Sequence, residues 1–593
     1  MNVTALFKAA KVDYSVDSGR NLDDLTVTAV TADSRRAGED SLFVALMGTK
    51  VDGREYIADA RTRGCRVVLT GRRNNLPLRA GGTTAPGTTI TTTAAVDTAA
   101  AVDQKRPAIT PDGHEILYLT TDNPRAAFGR LCAALRGFPA REMIMIGITG
   151  TNGKTTSAYL LEELIRFNGG EPGVIGTINY RYRDQVVPAP HTTPEPESLQ
   201  QLLREMANAG VTHVIMEVSS HALDQGRVAG ILFDVALFTN LSREHLDYHG
   251  NMQSYFTCKQ RLFSHHLKPQ GAAVVVVGRK QEDIDNGNRT GNGHGHGYES
   301  GNGNGNEGER RNGNENWSQR LIAVLQPLAT PADESGRGKA ALRLFRCGGD
   351  RGELQVLTSR SSLAGIEAHL TGVAGQWTLR STMVGNFNLD NLLGVAGVGL
   401  ALGLNVEQIS AGLANAGAVP GRLERFTSHH GVEVFVDYAH TPDALAQVLR
   451  TLRRLAPRRL ITIFGCGGDR DRGKRPLMGK IAASLADIVI LTSDNPRSEQ
   501  SSAIIAAIER GLLSVGSQRC RLECLLGAAN MFKGYDLVVS RRQAIRDTLL
   551  RTRPGDVVLI CGKGHENTQT VGGVSSFFDD RQEVIREQLA ILA

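Results

Sequence analysis

Nowhere in the 593 residues is there a run of 18 or more apolar side chains, the length a helix needs to span a bilayer. The opening Met1-Asn2-Val3-Thr4 lacks the basic-then-apolar pattern of a secretory signal. A membrane protein and an exported one are both unexpected, and the reading is cytoplasmic. Cysteine is sparse: eight are scattered along the chain, and only Cys520 and Cys524 are near neighbours, without metal-ligand spacing. That argues against a disulfide framework and leaves reduced thiols, mostly core or incidental. A strong excess of one charge is missing too. Lys and Arg number 67 against 61 Asp and Glu, a net charge of +6, and the basic residues are dispersed instead of forming a stripe with aromatics. Nucleic acid is therefore a poor partner and an anionic small molecule a better one.

What is present is an ordinary globular composition, 41% hydrophobic and 22% charged, with length for about three or four domains. Residues 1–139 open with strand-like runs at 25–30 and 41–46. A Thr/Ala/Gly/Pro-rich stretch at about 75–113 has no hydrophobic period and reads as an inserted loop. Residues 140–416 alternate apolar runs with helical segments, the rhythm of a parallel sheet flanked by helices, with strands expected at 214–218 and 235–239. Inside this block, 281–317 is mainly Gly, Asn, Glu and His and reads as a disordered insertion; His294 and His296 are better taken as part of a solvated linker than as metal ligands. From 417 to 593 the α/β rhythm returns, with strands expected at 432–436, 460–464, 488–491 and 557–560. Several end in polar, glycine-bearing turns, where open α/β sheets place ligands.

The most informative stretch is 144–156. An apolar run, the turn Gly150-Thr151-Asn152-Gly153-Lys154-Thr155-Thr156, and a segment with Ala158, Leu161, Leu164 and Ile165 on one face describe strand, loop and helix, stopped by Gly169-Gly170. Backbone N–H groups of such a loop favour polyanions. Lys154 suits the β/γ-phosphates of ATP, and a Thr155 or Thr156 hydroxyl suits magnesium. Ile148 stands where the commonest phosphate-loop pattern has its first glycine. Glu217 closes an apolar strand before Ser219-Ser220-His221, a place suited to a magnesium ligand or to a salt-bridged strand end.

Together these segments resemble the Mur ligases, ATP-dependent amino-acid ligases of peptidoglycan precursor synthesis. The resemblance lies in Gly150–Thr156, Met216-Glu217-Val218-Ser219-Ser220-His221, Asn240-Leu241-Ser242 with His245-Leu246-Asp247, Gly385-Asn386-Phe387-Asn388 with Asn391, and Asp437-Tyr438-Ala439-His440-Thr441-Pro442. Segments 33–35 with 48–53 resemble the nucleotide-sugar-binding domain shared by the third- and fourth-acting members, and 191–195, 465–476 and 562–566 resemble the third-acting member. His191 stands where that member usually has Asn. The resemblance implies an α/β fold of three domains: 1–139 for the UDP-substrate, a central phosphate-loop ATPase domain at 140–416, and a Rossmann-like amino-acid domain at 417–593. It implies ATP contacts at 150–156 and at Asn388, Arg422 and Asp437. Ser34, Thr49, Lys50, Val51, His191, Thr192, Thr193, Ser219, Gln225 and Arg227 are the implied contacts to UDP-MurNAc-L-Ala-D-Glu.

The resemblance further makes Lys259, which by itself would pass for a lysine on a helix face, a lysine carbamylated by CO₂. With Thr155, Glu217 and His245 it completes a magnesium set, and Lys154, Glu217, His245 and Lys259 are the implied catalytic residues. Asp494-Asn495-Pro496-Arg497 resembles the motif of members that add meso-diaminopimelate, with Arg470, Gly562 and Glu566 also in the amino-acid site. A guanidinium can grip the second carboxylate of diaminopimelate bidentately. A site built for a polar group rejects an analogue lacking it by factors on the order of 10⁴ in good cases. A monomer is expected. Rival readings are a lysine-adding ligase, a folylpolyglutamate synthetase, and a phosphate-loop switch protein; Arg497 with Arg470 argues against lysine and 33–53 against folate.

Overall fold

The computed structural model describes residues 1–16, 22–48, 51–72, 110–111, 113–278, 313–329, 341–349, 352–427, 431–527 and 533–590. The chain divides into two compact units. One comprises Met1–Thr151, Gly170–Ala273 and Ala323–Leu344; the other comprises Asn152–Gly169, Val274–Ile322 and Phe345–Ala593.

The first unit starts with helix Val3–Ala10, whose Asn2 cap accepts the Ala5 N–H. Leu6 and Phe7 bury against a five-stranded sheet in the order Ser15–Val16, Leu117–Thr121, Val67–Gly71, Ser41–Val44, Ala29–Thr31. Only the first pair is antiparallel. Both expected strands here prove shorter than the apolar runs. The first begins at Ala29, because the Leu25 carbonyl accepts from Val3 and the Val27 N–H donates to Met1. The second ends at Val44, and the Leu46 carbonyl turns to the Gly53 N–H. These backbone groups are satisfied outside a ladder, so the runs are not strand throughout.

Four parallel strands follow in the order Phe233–Phe238, Ile144–Thr149, His213–Glu217, Pro172–Ile175. They are nearly continuous in apolar residues because both sheet faces are covered. The register sets Glu217 beside Ile148 and Phe238 beside Thr149, so three strand carboxyl ends finish at one level.

In the second unit, helix Lys154–Phe167 buries Ala158, Leu161, Leu164 and Ile165, the face read from the sequence, and packs on helices Asn386–Ala401 and Val406–Asn415. Strands Leu354–Ser362, Gly365–Gly372 and Gly375–Ser381 form an antiparallel meander. The C-terminal sheet runs Glu424–Thr427, Glu433–Asp437, Asp556–Cys561, Arg459–Phe464, Ile488–Leu491, Gly534–Leu537, parallel except at its first edge. Separate apolar clusters cover its two faces, the doubly wound arrangement expected from the α/β rhythm. A hairpin, Thr568–Val571 with Val574–Phe577, extends from it.

The expected loop at 75–113 is described only at 110, 111 and 113, where Thr110 is buried and its hydroxyl accepts the His114 N–H. The expected disordered stretch 281–317 needs a correction at its end: residues 313–317 belong to helix Gly313–Ala329, which buries Leu321 and Leu325, and a helix once formed extends by one backbone bond per residue. The remainder of both stretches lies outside the described residues. All eight cysteines are free, six of them buried. Among the described residues no helix is long and apolar enough to cross a membrane.

Candidate active site

In the first unit the strand Ile144–Thr149 delivers Gly150 at φ +152°, and a Cβ there would lie 2.0 Å from the Thr239 hydroxyl oxygen. Only glycine fits so close to the neighbouring strand end. The Thr151 hydroxyl bridges the backbone of Ser242 and the Tyr255 hydroxyl. Lys259, on helix Met252–His265, is buried; its Nζ donates to the Gly150 carbonyl at 2.8 Å and sits 4.7 Å from the Tyr255 ring centre. The exposed helix-face lysine that residue type alone would suggest is thus absent.

Glu217 is buried at its strand end, where its carboxylate accepts from the Thr177 N–H at 3.0 Å and the Thr177 hydroxyl at 2.9 Å. The Thr193 hydroxyl donates to the Glu217 carbonyl, and Thr192 meets Thr177 at 3.1 Å. His245 lies half-exposed at φ +54°, its ring 4.9 Å from that of His221. His221 also stacks near Tyr248 and His249. Burial, then repulsion from His245 and His249, pulls the His221 imidazolium down to about 4, so the ring is neutral at neutral pH. Among the described residues no group of three or more His, Cys, Asp or Glu is arranged to hold a metal. Thr155, the hydroxyl member of the expected magnesium set, belongs to the second unit.

The expected UDP-substrate residues fall into two groups. Thr193, Ser219, Gln225 and Arg227 share one network: Arg227 donates to the Thr193 carbonyl at 2.9 Å and to Gln225 at 2.7 Å, and the Ser219 N–H donates to the Thr193 hydroxyl. Ser34 is buried in the turn Ser34–Arg36, whose Arg36 pairs with Glu197 at 2.7 Å. Val51 is exposed, and Thr49 and Lys50 lie outside the described residues. His191 is exposed, and its carbonyl accepts the Tyr180 hydroxyl.

In the second unit Gly153 caps helix Lys154–Phe167 at φ +85°, and a Cβ on it would stand 2.2 Å from Asn391 Oδ1. Asn391 donates to Asn388 Oδ1, and Asn388 donates to the Val384 carbonyl. The Asn388 amide is therefore engaged by Asn391 and by the carbonyl of Val384 just before the helix, and it is Asn391 that stands against Gly153. Thr155 and Thr156 are buried, and Arg422 Nη2 reaches Thr155 Oγ1 at 3.4 Å. Arg422 stacks 4.6 Å over the Tyr438 ring. Its turn is held by Asp437, which accepts the Leu423 and Ala439 N–H groups at 2.7 Å each. Burial raises the Asp437 carboxyl despite the opposing pull of Arg422 and these bonds.

The second half of that unit gathers the expected amino-acid site. Arg497, at φ +52°, donates from Nη1 to the Gly468 carbonyl at 2.7 Å. Its backbone is clasped by the hairpin: its N–H donates to Thr570 at 2.9 Å and its carbonyl accepts from Gly572 at 2.7 Å. A Cβ on Gly467 would lie 2.9 Å from Arg497 Nη1 and 3.7 Å from Arg470 Cγ, so both arginines flank that glycine. Asn495 donates to Glu566 at 2.7 Å. Gly562 runs against Asp494, and the Pro496 carbonyl against Gly468. Burial, then repulsion from Asp494, raises the Glu566 carboxyl.

Family models match three stretches: "Mur ligase family, catalytic domain" at 26–133, "Mur ligase middle domain" at 148–319, and "Mur ligase, glutamate ligase domain" at 421–564. A UDP-N-acetylmuramoyl-L-alanyl-D-glutamate--2,6-diaminopimelate ligase of Geobacter metallireducens is 39% identical, covering 97% of this chain and 96% of its own. The protein of the same name from Geobacter sulfurreducens is 37% identical over 95% of each. A solved structure of a ligase of that name is 27% identical, with a TM-score of 0.61 and complete coverage of both chains. The chain belongs to the Mur ligase family.

For this Mur ligase, sequence reasoning left several residues without a role. Thr177 gave no signal, because its only distinction is its place beside Glu217. Asn391 and Lys563 lay inside quoted motifs and could have been singled out. The hairpin at 568–577 became relevant only through its hold on Arg497.

Proposed function

We propose that this Mur ligase joins meso-diaminopimelate to the γ-carboxylate of the D-glutamate in UDP-MurNAc-L-Ala-D-Glu, consuming ATP, as a cytoplasmic step of peptidoglycan precursor synthesis. The observation that carries the acceptor assignment is the convergence of Arg497 with Asp494, Asn495 and Glu566. An arginine beside a carboxylate cluster suits an amino acid that brings an ammonium and, at its far end, a second carboxylate.

Three consecutive domains, 1–139, 140–416 and 417–593, divide the work. Ser34, Thr49, Lys50, Val51, His191, Thr192, Thr193, Ser219, Gln225 and Arg227 hold the nucleotide-sugar peptide. The 150–156 loop, Asn388, Arg422 and Asp437 hold ATP. The donor set suits magnesium: Glu217 and Thr155 offer hard oxygen ligands, and phosphates commonly complete such a shell. A carbamate on Lys259 retains one N–H, so the bond to the Gly150 carbonyl survives while two anionic oxygens are gained. Glu217, Thr155, His245 and carbamylated Lys259 would hold the metal, which neutralises phosphate charge when bound. Lys154 adds its own positive charge as the γ-phosphoryl group passes to the glutamate carboxylate, breaking the bond to ADP and forming an acyl phosphate. Arg497 and Arg470 orient the acceptor by its remote carboxylate, and its neutral amine attacks the acyl carbon. Phosphate leaves as the amide forms. Activity is assigned to a monomer.

Phosphate release from ATP in the presence of UDP-MurNAc-L-Ala-D-Glu tests this directly. Release with meso-diaminopimelate and not with L-lysine, with tripeptide product detected by mass, is the expected result. Release with lysine alone would move the acceptor assignment to the lysine-adding reaction, and release with neither would overturn the proposal.

A further inference from the structure

Lys563 is wholly buried, with no accessible surface. Its Nζ donates to the Thr568 carbonyl and, at 3.3 Å, to Asn495 Oδ1. It also stands 3.8 Å from Asp494 Oδ1 and 3.6 Å from Glu566 Oε2. Asp494 Oδ1 is buried without a hydrogen-bond partner. Arg541, whose charge also reaches Asp494, is neutralised by Asp580: it forks onto that carboxylate with two bonds of 2.7 Å, both side chains fully enclosed. Arg497 also attracts Glu566 electrostatically and gives one of its N–H groups to Gly468. Setting Arg497 aside for a ligand carboxylate and closing the Arg541–Asp580 pair leaves two carboxylates against one lysine, a surplus of one negative charge.

We infer that Lys563 is a positioning residue of the acceptor site: it stands between Asp494 and Glu566 and offsets one of their two charges, so that together they present one uncompensated negative charge to the acceptor's ammonium. The inference rests on the ligase reading above. A buried carboxylate beside a partly buried one, with no cation between them, holds on to a proton, and a protonated pair exerts little pull on an ammonium. Lys563 also fixes Asn495. The Asn495 oxygen accepts from both Lys563 and the Thr570 N–H at 3.1 Å, so its NH₂ is turned toward Glu566. One buried ammonium therefore sets the charge of the pocket and the direction of its amide.

The test is a double-mutant cycle of Lys563→Met and Asp494→Asn in the full chain, with KM values for diaminopimelate, ATP and the UDP-substrate measured alongside thermal melting. Removing the partner of a buried charge gives an expected rise in the diaminopimelate KM of at least roughly ten-fold, with the other two KM values unmoved. In the Asp494→Asn background one carboxylate faces one lysine, so the same change returns the single negative charge and does not raise the diaminopimelate KM further. The second readout needs no turnover. Glu566 is already raised by burial and by Asp494, and losing Lys563 raises it further, so stability present at low pH is lost as pH rises through the folded pKa. The melting deficit of Lys563→Met should therefore widen between about pH 5 and pH 8 and stay flat with Asp494→Asn. A diaminopimelate KM that does not rise, KM values that all rise together, losses that simply multiply in the double variant, or a deficit independent of pH would each overturn the inference. An inactive wild-type enzyme would sink the ligase reading instead, with the melting arm still deciding the role of Lys563.

Discussion

Replacing Arg497 is expected to impair the proposed recognition of the acceptor and leave the other substrates of this Mur ligase unaffected. One of its Nη1 hydrogens is committed to the Gly468 carbonyl at 2.7 Å, which fixes the guanidinium plane and leaves the rest of the fork for a carboxylate. A hydrogen bond to a charged group contributes about 1.5–3 kcal/mol, which corresponds to roughly 10- to 150-fold in affinity at 1.4 kcal/mol per decade. Arg497→Lys keeps the charge but loses the planar fork, so most of that loss is expected to appear in the KM for diaminopimelate. The backbone adds a second handle. Arg497 sits at φ +52°, held by Thr570 and Gly572 of the hairpin, a conformation that costs a side-chain-bearing residue about 1–2 kcal/mol. Arg497→Gly should therefore lose recognition like Arg497→Ala while melting higher than it. The assay is steady-state phosphate release with each substrate varied in turn, beside a thermal melt. An unchanged diaminopimelate KM in all three variants would refute the carboxylate-fork argument. Equal rises in the KM for ATP would show that Arg497 merely supports the fold.

Two further predictions concern the second unit. Gly153→Ala places a Cβ 2.2 Å from Asn391 Oδ1 at φ +85°, so backbone strain and the displaced Asn391–Asn388 bond together cost about 2–3 kcal/mol; the KM for ATP should rise and the melting temperature fall, and a variant matching the parent in both would refute the close approach. His565 is held neutral down to about 3, first by burial and then by Arg422 and Arg581, and its buried Nδ1 has no hydrogen-bond partner. Its folded pKa is below the unfolded value of about 6.5, so stability present above that value is lost as pH falls toward 3. His565→Gln should flatten the acid side of a melting-temperature profile, and an unchanged slope would count against this account.

Local pattern determined a good deal of this protein. The apolar run at 144–149 and the Gly-Lys-Thr-Thr turn implied strand, loop and helix, and the buried face of that helix follows from the 3.6-residue period of its leucines. The C-terminal parallel strands were legible for a similar reason: short runs buried on both faces have few other uses. Period could not fix where a strand ends when its backbone finds another partner, as Leu25 and Val27 do at Met1 and Val3. Nor could it extend helix Gly313–Ala329 back into a stretch that reads as linker. The site divides along the same line. Side-chain chemistry and motif order pointed to Lys154, Glu217 and Arg497, because a phosphate cradle or a carboxylate grip needs those groups whatever surrounds them. Only tertiary structure set Thr177 on Glu217, Asn391 against Gly153, the hairpin around Arg497, and Lys563 between two carboxylates. Such contacts join residues far apart in the chain, and their strength comes from burial, which raises the cost of leaving any one of those groups unpaired.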